Sequence, residues 1–136
     1  DQAFRAGAGS DRRLPWESLF FAQDFSTPLS REAAGAWALP LEMVRLAPSA
    51  SNKQPWRVIR RSGAWHFYRQ RTPGYPGGLA KAVLGVADMQ AIDLGIAMCH
   101  FELAAAEAGL AGRWLDCEPP VEKPSHLTEY VASWVP

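Results

Sequence analysis

The clearest pattern in the chain is a run of apolar residues spaced three and four apart between residues 88 and 108. One apolar line consists of Met89, Ile92, Ile96, Cys99, Leu103, Ala106 and Leu110. A second line consists of Leu94, Ala97, Phe101, Ala104 and Ala108. Because such steps return to one face of an α-helix, the pattern predicts a long helix that is covered on two sides. Gly109 predicts where this helix ends.

Four short segments rich in β-branched and aromatic residues predict strands. They are residues 56–60, 64–68, 112–117 and 130–135. The first two flank Ser62 and Gly63, a turn-forming pair that is typical of a β-hairpin. A proline-rich connector separates the last two.

Prolines and a capping residue predict shorter helices before the hairpin. Pro15 suits the first turn of a helix, which predicts one or two helical turns over residues 15–21. Ser30 is a favourable N-cap for a second helix, which Pro40 interrupts or restarts. Pro48 predicts the end of that helix.

Composition and charge exclude several classes of protein. The 136 residues fit one domain, and 48% of them are apolar, which is ordinary for a globular protein. Fourteen basic and fourteen acidic residues cancel, so the field expected of a nucleic-acid binder is absent. No apolar run approaches the roughly 20 residues of a membrane span, which predicts no membrane partner and a cytoplasmic location.

Cysteine and histidine spacing does not indicate a metal site. Cys99 and Cys117 form no CxxC motif and are interpreted as reduced, buried thiols. His66, His100 and His126 show no ligand spacing, so we expect structural roles for them.

Four arginines lie on or beside the predicted hairpin, at positions 60, 61, 69 and 71. A solvated strand edge explains such a group, and anion binding is the alternative.

The segment between the second helix and the hairpin is a candidate binding loop. It contains Ser49, Ser51 and Asn52, whose small polar side chains allow a flat ring to approach the backbone. Ser and Asn are also ordinary turn residues, so the residues alone leave a purely structural turn open.

Residues 47–56, with the sequence APSASNKQPW, resemble the APSAxNxQPW signature of the nitroreductase family, in which this loop contacts FMN. Residues 93–97 and 107–114 are similar to the long core helix of that family and the strand after it. The segments at residues 15–21 and 41–50 resemble the C-terminal half of a branch called TM nitroreductases, in which two related halves are fused.

The resemblance implies a fold and a set of cofactor contacts. The fold is α+β, a nitroreductase-like half-unit with a long central helix packed on a small, mostly antiparallel sheet. The flavin contacts carried over by position are Pro48, Ser49, Ala50, Asn52 and Gln54. FMN and NAD(P)H are the implied cofactor and reductant, and no protein nucleophile or catalytic residue is expected, because the flavin carries out hydride transfer.

One part of the family pattern does not occur in this sequence. The Arg-Arg-Ser-x-Arg segment that usually contacts the FMN phosphate is not present, and the pair Arg12-Arg13 does not match it. We therefore expect residues 1–136 to form one domain that needs a missing N-terminal half or a homo-oligomer to complete the FMN site. Residues 1–28 are interpreted as a connecting segment, and Asp1 as a cut or a processed terminus.

Two functions follow as hypotheses. The first is part of an FMN-dependent oxidoreductase that transfers electrons from NAD(P)H to nitroaromatic or quinone-like acceptors. The alternative is a non-catalytic, nitroreductase-like dimerisation or interaction module without a complete flavin site.

Overall fold

One five-stranded sheet organises the chain in the computed structural model, which describes Gly9 and residues 11–74 and 88–136. The strands are β1 (Phe20–Ala22), β2 (Trp56–Arg61), β3 (Ala64–Gln70), β4 (Arg113–Leu115) and β5 (Thr128–Val135). Their order across the sheet is β1-β2-β3-β5-β4. The pair β1–β2 is parallel, and the other three neighbouring pairs are antiparallel. The predicted α+β fold with a mostly antiparallel sheet is confirmed.

The predicted hairpin is the pair β2–β3. Ser62 and Gly63 connect its strands and have φ angles of 51° and 78°. Positive φ at both central residues is the geometry of a two-residue turn that follows the natural twist of the strands. All four strand predictions are confirmed within a few residues.

Within the described ranges, three α-helices accompany the sheet: α1 (Arg31–Ala34), α2 (Ala38–Leu46) and α3 (Met89–Glu107). The hydroxyl of Ser30 accepts a hydrogen bond of 3.0 Å from the Ala33 amide, which confirms the predicted N-cap. A 3-10 turn over Gly35–Trp37 separates α1 from α2. Pro40 lies in the first turn of α2, where it removes no helical hydrogen bond, so it restarts the helix.

The predicted helix over residues 15–21 is wrong beyond its first turn. Trp16–Ser18 form a 3-10 turn, and the chain then enters β1. The carbonyl of Leu19 accepts from the Val58 amide, and the carbonyl of Phe20 accepts from the Leu29 amide. These long-range hydrogen bonds favour a strand over a continued helix.

The core lies between α3 and one face of the sheet. Leu94, Ala97 and Phe101 of α3 are buried. The Phe101 ring packs edge-on against Phe67 of β3, with 5.2 Å between centroids. The aromatic side chains around this pair come from three strands and from the turn before α2: Trp37, Trp65, Trp114 and Trp134. The predicted bounds of α3 and its end at Gly109, with φ of 72°, are confirmed.

The opposite side of α3 is exposed. Leu103 and Ile92 are 65% and 48% accessible, and Cys99 is also exposed. The expectation that the helix is covered on two sides is therefore wrong for the described residues. The expected burial of Cys99 and Cys117 is wrong too, because Cys99 lies on this uncovered face and Cys117 is exposed after β4.

The four arginines of the hairpin do not form a solvated sheet edge. β2 and β3 are inner strands of the sheet. Arg69 and Arg71 form ion pairs with Asp88 and Glu129, which link β3 to the start of α3 and to β5. The interpretation as an edge is wrong because β1 and β5 flank the hairpin on its two sides. Among residues 11–74 and 88–136, no helix combines the length and the apolar character that crossing a membrane requires.

Candidate functional site

The candidate loop, residues 47–55, connects the end of α2 to the start of β2. Ala47, with φ of −57° and ψ of 146°, turns the chain out of the helix. A 3-10 turn over Ala50–Asn52 follows. Trp56, which begins β2, is fully buried. Both ends of the loop are thus fixed by the core, at the buried Ala47 and Trp56.

The loop backbone adopts an unfavourable conformation. Ser51, Asn52 and Gln54 have φ angles of 51°, 52° and 49°. The left-handed region costs a non-glycine residue about 1–2 kcal/mol, although Asn tolerates it better than most. Strain of this kind persists only where surrounding contacts hold it, and it is concentrated at ligand clamps and active sites.

Ser49 holds the loop from within. Its carbonyl accepts from the Asn52 amide at 3.0 Å, and its hydroxyl accepts from the Gln54 amide at 2.9 Å. The carbonyl of Ala50 also accepts from the Lys53 amide at 3.2 Å. The turn therefore closes on its own first residues.

Asp93 of α3 anchors the loop to the helix. Its Oδ1 accepts a hydrogen bond of 3.0 Å from the backbone amide of Ala50. The Asp93 side chain is buried, and its Oδ2 has no hydrogen-bond partner within the described residues. Burial raises the pKa of Asp93; the Ala50 amide lowers it, and the charge of Asp88 raises it further. The sequence did not predict this contact, because no motif links Asp93 to Ala50, which lies 43 positions earlier. The position of Asp93 directly before Leu94, the first residue of the buried apolar line, was a usable signal.

Asn52 uses its side chain on the segment that precedes β1. Its Nδ2 donates to the carbonyls of Gly9 and Arg12, both at 2.7 Å. Its Oδ1 accepts from the Arg13 guanidinium at 3.2 Å. Both amide hydrogens of Asn52 are therefore engaged within the chain.

Gln54 is the most buried of the five predicted contacts, with 4% of its surface accessible. Its Oε1 accepts from the Leu14 amide at 2.8 Å. Its Nε2 donates to the carbonyls of Arg12 and Asn52 at 3.3 Å and 3.2 Å. Gln54 thus fastens the preceding segment to the loop.

The accessible edge of the loop is formed by its small residues. Pro48 and Ser51 are exposed, whereas Ser49, Ala50 and Asn52 are half-buried. The loop thus brings the five predicted contact residues together, but the surface that an incoming molecule can reach is mainly the stretch from Pro48 to Ser51.

Basic side chains lie around this edge. Arg12 and Lys53 are exposed. Arg13 donates to the carbonyl of Leu46, the last residue of α2, at 3.3 Å. Arg45 forms an ion pair with Glu42 at 2.7 Å. The charge of Arg45 is therefore balanced by Glu42, whereas the exposed Arg12 and Lys53 give the loop a positive charge that suits an anionic group.

The other polar clusters of the described residues have structural explanations. Nδ1 of the buried His66 lies 2.6 Å from the hydroxyl of the buried Ser133. Burial lowers the pKa of His66, and the carbonyl of Arg61 opposes that change. The Ser133 hydroxyl also donates to the carbonyl of Cys117 at 3.2 Å, which ties the segment after β4 to the sheet. The structural role predicted for His66 is confirmed.

His100 is half-buried in a groove with Met43 and Leu103, and its predicted packing role stays a prediction. His126 is exposed. In the parts of the chain that the structure describes, no three potential metal ligands come together.

Comparison with known families gives one match. The family described as "Putative TM nitroreductase" matches residues 30–105, which is more than half of the chain. The matched segment contains α1, α2, the loop, the hairpin and most of α3. No curated protein and no solved structure matches the chain. Since the match covers the loop and the elements on either side of it, the chain belongs to the TM nitroreductase family.

Proposed function

We propose that this chain forms one wall of an FMN site in an oxidoreductase. The observation that carries the proposal is the strained loop at residues 47–55, which is held from the core and lies within the segment that matches a nitroreductase family. An enforced unfavourable backbone in a surface loop is typical of a ligand-binding position.

Two features of the described residues support a flavin mononucleotide at this edge, the size of the side chains and their charge. Pro48, Ser49 and Ala50 are small and form an accessible edge that a flat ring can approach. Arg12 and Lys53 are exposed beside it and have the charge opposite to that of a phosphate. In this proposal, bound FMN accepts a hydride from NADH or NADPH and passes electrons to a nitroaromatic or quinone-like acceptor.

The share of the protein is to hold and to orient the ring. We assign direct contacts to Pro48, Ser49 and Ala50, and a polar contact to the accessible part of Asn52. Gln54 is assigned to the same site, where its buried side chain keeps the loop in place. No side chain is assigned a nucleophilic role, because hydride transfer needs none.

A second polypeptide completes the site in this proposal. The uncovered face of α3 carries Met89, Ile92 and Leu103 as exposed apolar residues. Large apolar side chains along one exposed helix face are typical of an interface. The occupant is the N-terminal half or a second copy of the chain.

The test is FMN binding, measured by flavin absorption and fluorescence. We expect weak or no binding by the chain alone and strong binding when an N-terminal half is supplied. Absence of binding in both cases would contradict the proposal.

The alternative is a non-catalytic interaction module, which a specific observation favours. Both amide hydrogens of Asn52 are engaged by Gly9 and Arg12, so the polar group best suited to a flavin is occupied. This alternative predicts a stable, colourless oligomer that does not oxidise NAD(P)H even with excess FMN. Flavin-dependent oxidation would exclude it.

A further inference from the structure

We propose that Asp93 is the positioning residue of the candidate site, acting through the backbone amide of Ala50 to hold the loop in its binding conformation. The inference rests on the proposed function, and it concerns a residue outside the loop that contacts no ligand itself.

The geometry places Asp93 where it can control the turn. Its Oδ1 accepts from the Ala50 amide at 3.0 Å, and Ala50 immediately precedes Ser51 and Asn52, both in the left-handed region. This is the hydrogen bond that ties the start of the turn to α3. Without it, the strained residues would be free to relax toward more favourable φ angles.

The chemistry of Asp93 differs from that of its neighbours in the core. Leu94, Ala97 and Phe101 fill the same buried side of α3 with apolar groups, which is all that packing requires. A buried carboxylate with one unpartnered oxygen is costly, and an apolar residue would avoid that cost. The charge-assisted hydrogen bond from the carboxylate to the loop offsets this cost.

The ionised form of Asp93 is the one that holds the loop best. Burial raises the pKa of Asp93, the Ala50 amide opposes this change, and Asp88, the N-cap residue of α3, adds to it. On the loop side, the carboxylate faces the uncharged Ala50 amide. The charged residue of the loop, Lys53, has an exposed side chain.

Charged groups on the other elements packed against α3 have partners other than Asp93. Arg69 of β3 pairs with Asp88, the N-cap of α3, and with Glu129. Arg45 of α2 forms an ion pair with Glu42. Arg57 of β2 donates to the carbonyls of Gln54 and Trp56 at 3.0 Å and 2.6 Å. Acidification should therefore loosen the loop through Asp93 itself.

The experiment compares wild type, Asp93→Asn, Asp93→Ala and the control Gln90→Ala by amide NMR of the chain and by FMN binding in protein reconstituted with an N-terminal half. Gln90 is also buried on α3, but its amide donates to Thr72 at 3.0 Å, away from the loop. In Asp93→Ala, we expect hydrogen exchange at Ala50 to accelerate about tenfold or more and the dissociation constant for FMN to rise by a similar factor. Asp93→Asn keeps a hydrogen-bond acceptor, so its Ala50 exchange rate and its FMN affinity should be close to those of wild type.

The pH dependence separates positioning from simple packing. The wild-type Ala50 amide resonance should shift as Asp93 titrates, and in Asp93→Asn it should be independent of pH. FMN affinity should fall more steeply on acidification in wild type than in Asp93→Asn, where only the titration of the FMN phosphate remains. Gln90→Ala should lower stability without changing either readout. The proposal is overturned if the Ala50 resonance does not titrate in wild type, or if Gln90→Ala matches Asp93→Ala.

The readouts remain decisive in two difficult cases. If Asp93→Ala does not fold, the titration of wild type against Asp93→Asn still decides the role of Asp93. If no condition yields FMN binding, the proposed cofactor is wrong, whereas the Ala50 amide still reports whether Asp93 holds the loop.

Discussion

At the residue scale, Asn52 joins the candidate loop to the segment before β1. Its side chain forms three hydrogen bonds, to Gly9, Arg12 and Arg13, and its backbone is left-handed, which Asn tolerates. We predict that Asn52→Ala lowers the free energy of unfolding by about 1–3 kcal/mol, because it removes these bonds and adds backbone strain. Urea denaturation measures this change.

The same variant tests the assignment of Asn52 to the flavin site. In protein reconstituted with an N-terminal half, Asn52→Ala should weaken FMN binding. Lys53→Ala is the neighbouring control for stability, since the Lys53 side chain is exposed. An unchanged FMN affinity in Asn52→Ala would remove this residue from the site, even if the protein were destabilised.

Single residues also show where sequence reasoning ends. The small polar residues of the loop were identifiable because they are adjacent in the sequence. The hydrogen bonds of Asn52 to the carbonyls of Gly9 and Arg12 were not, because every residue carries a carbonyl and nothing in the sequence marks the one that is used. The contact between Asp93 and Ala50 was hidden for the same reason, since one partner is a backbone amide.

At the scale of elements, a charged cluster fastens the start of α3 to the sheet. Arg69 of β3 and Arg71, which directly follows β3, each pair with Asp88 and with Glu129 of β5. Burial would raise the pKa of Glu129, but the hydrogen bonds and charges of the two arginines outweigh it, so this pKa is lowered. A lowered pKa in the folded state means that the contribution to stability is present at neutral pH and is lost as the pH falls.

We predict that Glu129→Gln destabilises the protein at neutral pH. Its difference from wild type should shrink as the pH falls below about 4.3, the usual pKa of Glu, toward the lowered pKa of the folded state, where the wild-type carboxylate also becomes protonated. Urea unfolding at several pH values measures this difference. The exposed Glu122→Gln serves as the control and should show little effect. A difference that stays constant down to pH 3 would show that the charge of Glu129 is not what stabilises the cluster.

Two glycines differ in the space around them. A Cβ added to Gly112 would lie 2.3 Å from Nε1 of the buried Trp134, whereas one added to Gly95 of α3 would meet nothing within 4 Å. We predict that Gly112→Ala costs about 1–3 kcal/mol of stability through overpacking. Gly95→Ala should stabilise α3 by about 0.5–1 kcal/mol. Thermal or urea unfolding of both variants checks the signs, and a stabilising Gly112→Ala would contradict the packing described for Trp134.

The elements that sequence patterns predicted well are those that depend on local chemistry. The hairpin follows from its turn pair, and α3 from its apolar spacing and from Gly109. β1 was missed because its three residues become a strand only by pairing with β2, whose partner residues lie 38 positions further along the chain. A pairing over that distance leaves no periodic signal in so short a segment.

At the scale of the whole molecule, the uncovered face of α3 determines which associations are expected. Ile92 and Leu103 are largely exposed there, and Leu39 and Leu46 of the neighbouring α2 are exposed as well. The apolar spacing indicated that this face is covered, but the covering surface is not supplied by the described residues. A helix face of this kind lowers its free energy by binding another apolar surface.

We predict that the chain alone self-associates through this face in a concentration-dependent manner. Leu103→Glu should give a monomer of unchanged stability, because the side chain is 65% exposed in the single chain and a charge there opposes burial only in the oligomer. Leu115→Glu, on the far strand β4, is the matched control and should associate like wild type, since Leu115 is a partly exposed leucine away from α3. Sedimentation velocity over a range of concentrations distinguishes the outcomes. A wild-type chain that stays monomeric at every concentration, or a Leu115→Glu variant that is equally monomeric, would show that the α3 face is not where copies of this chain meet.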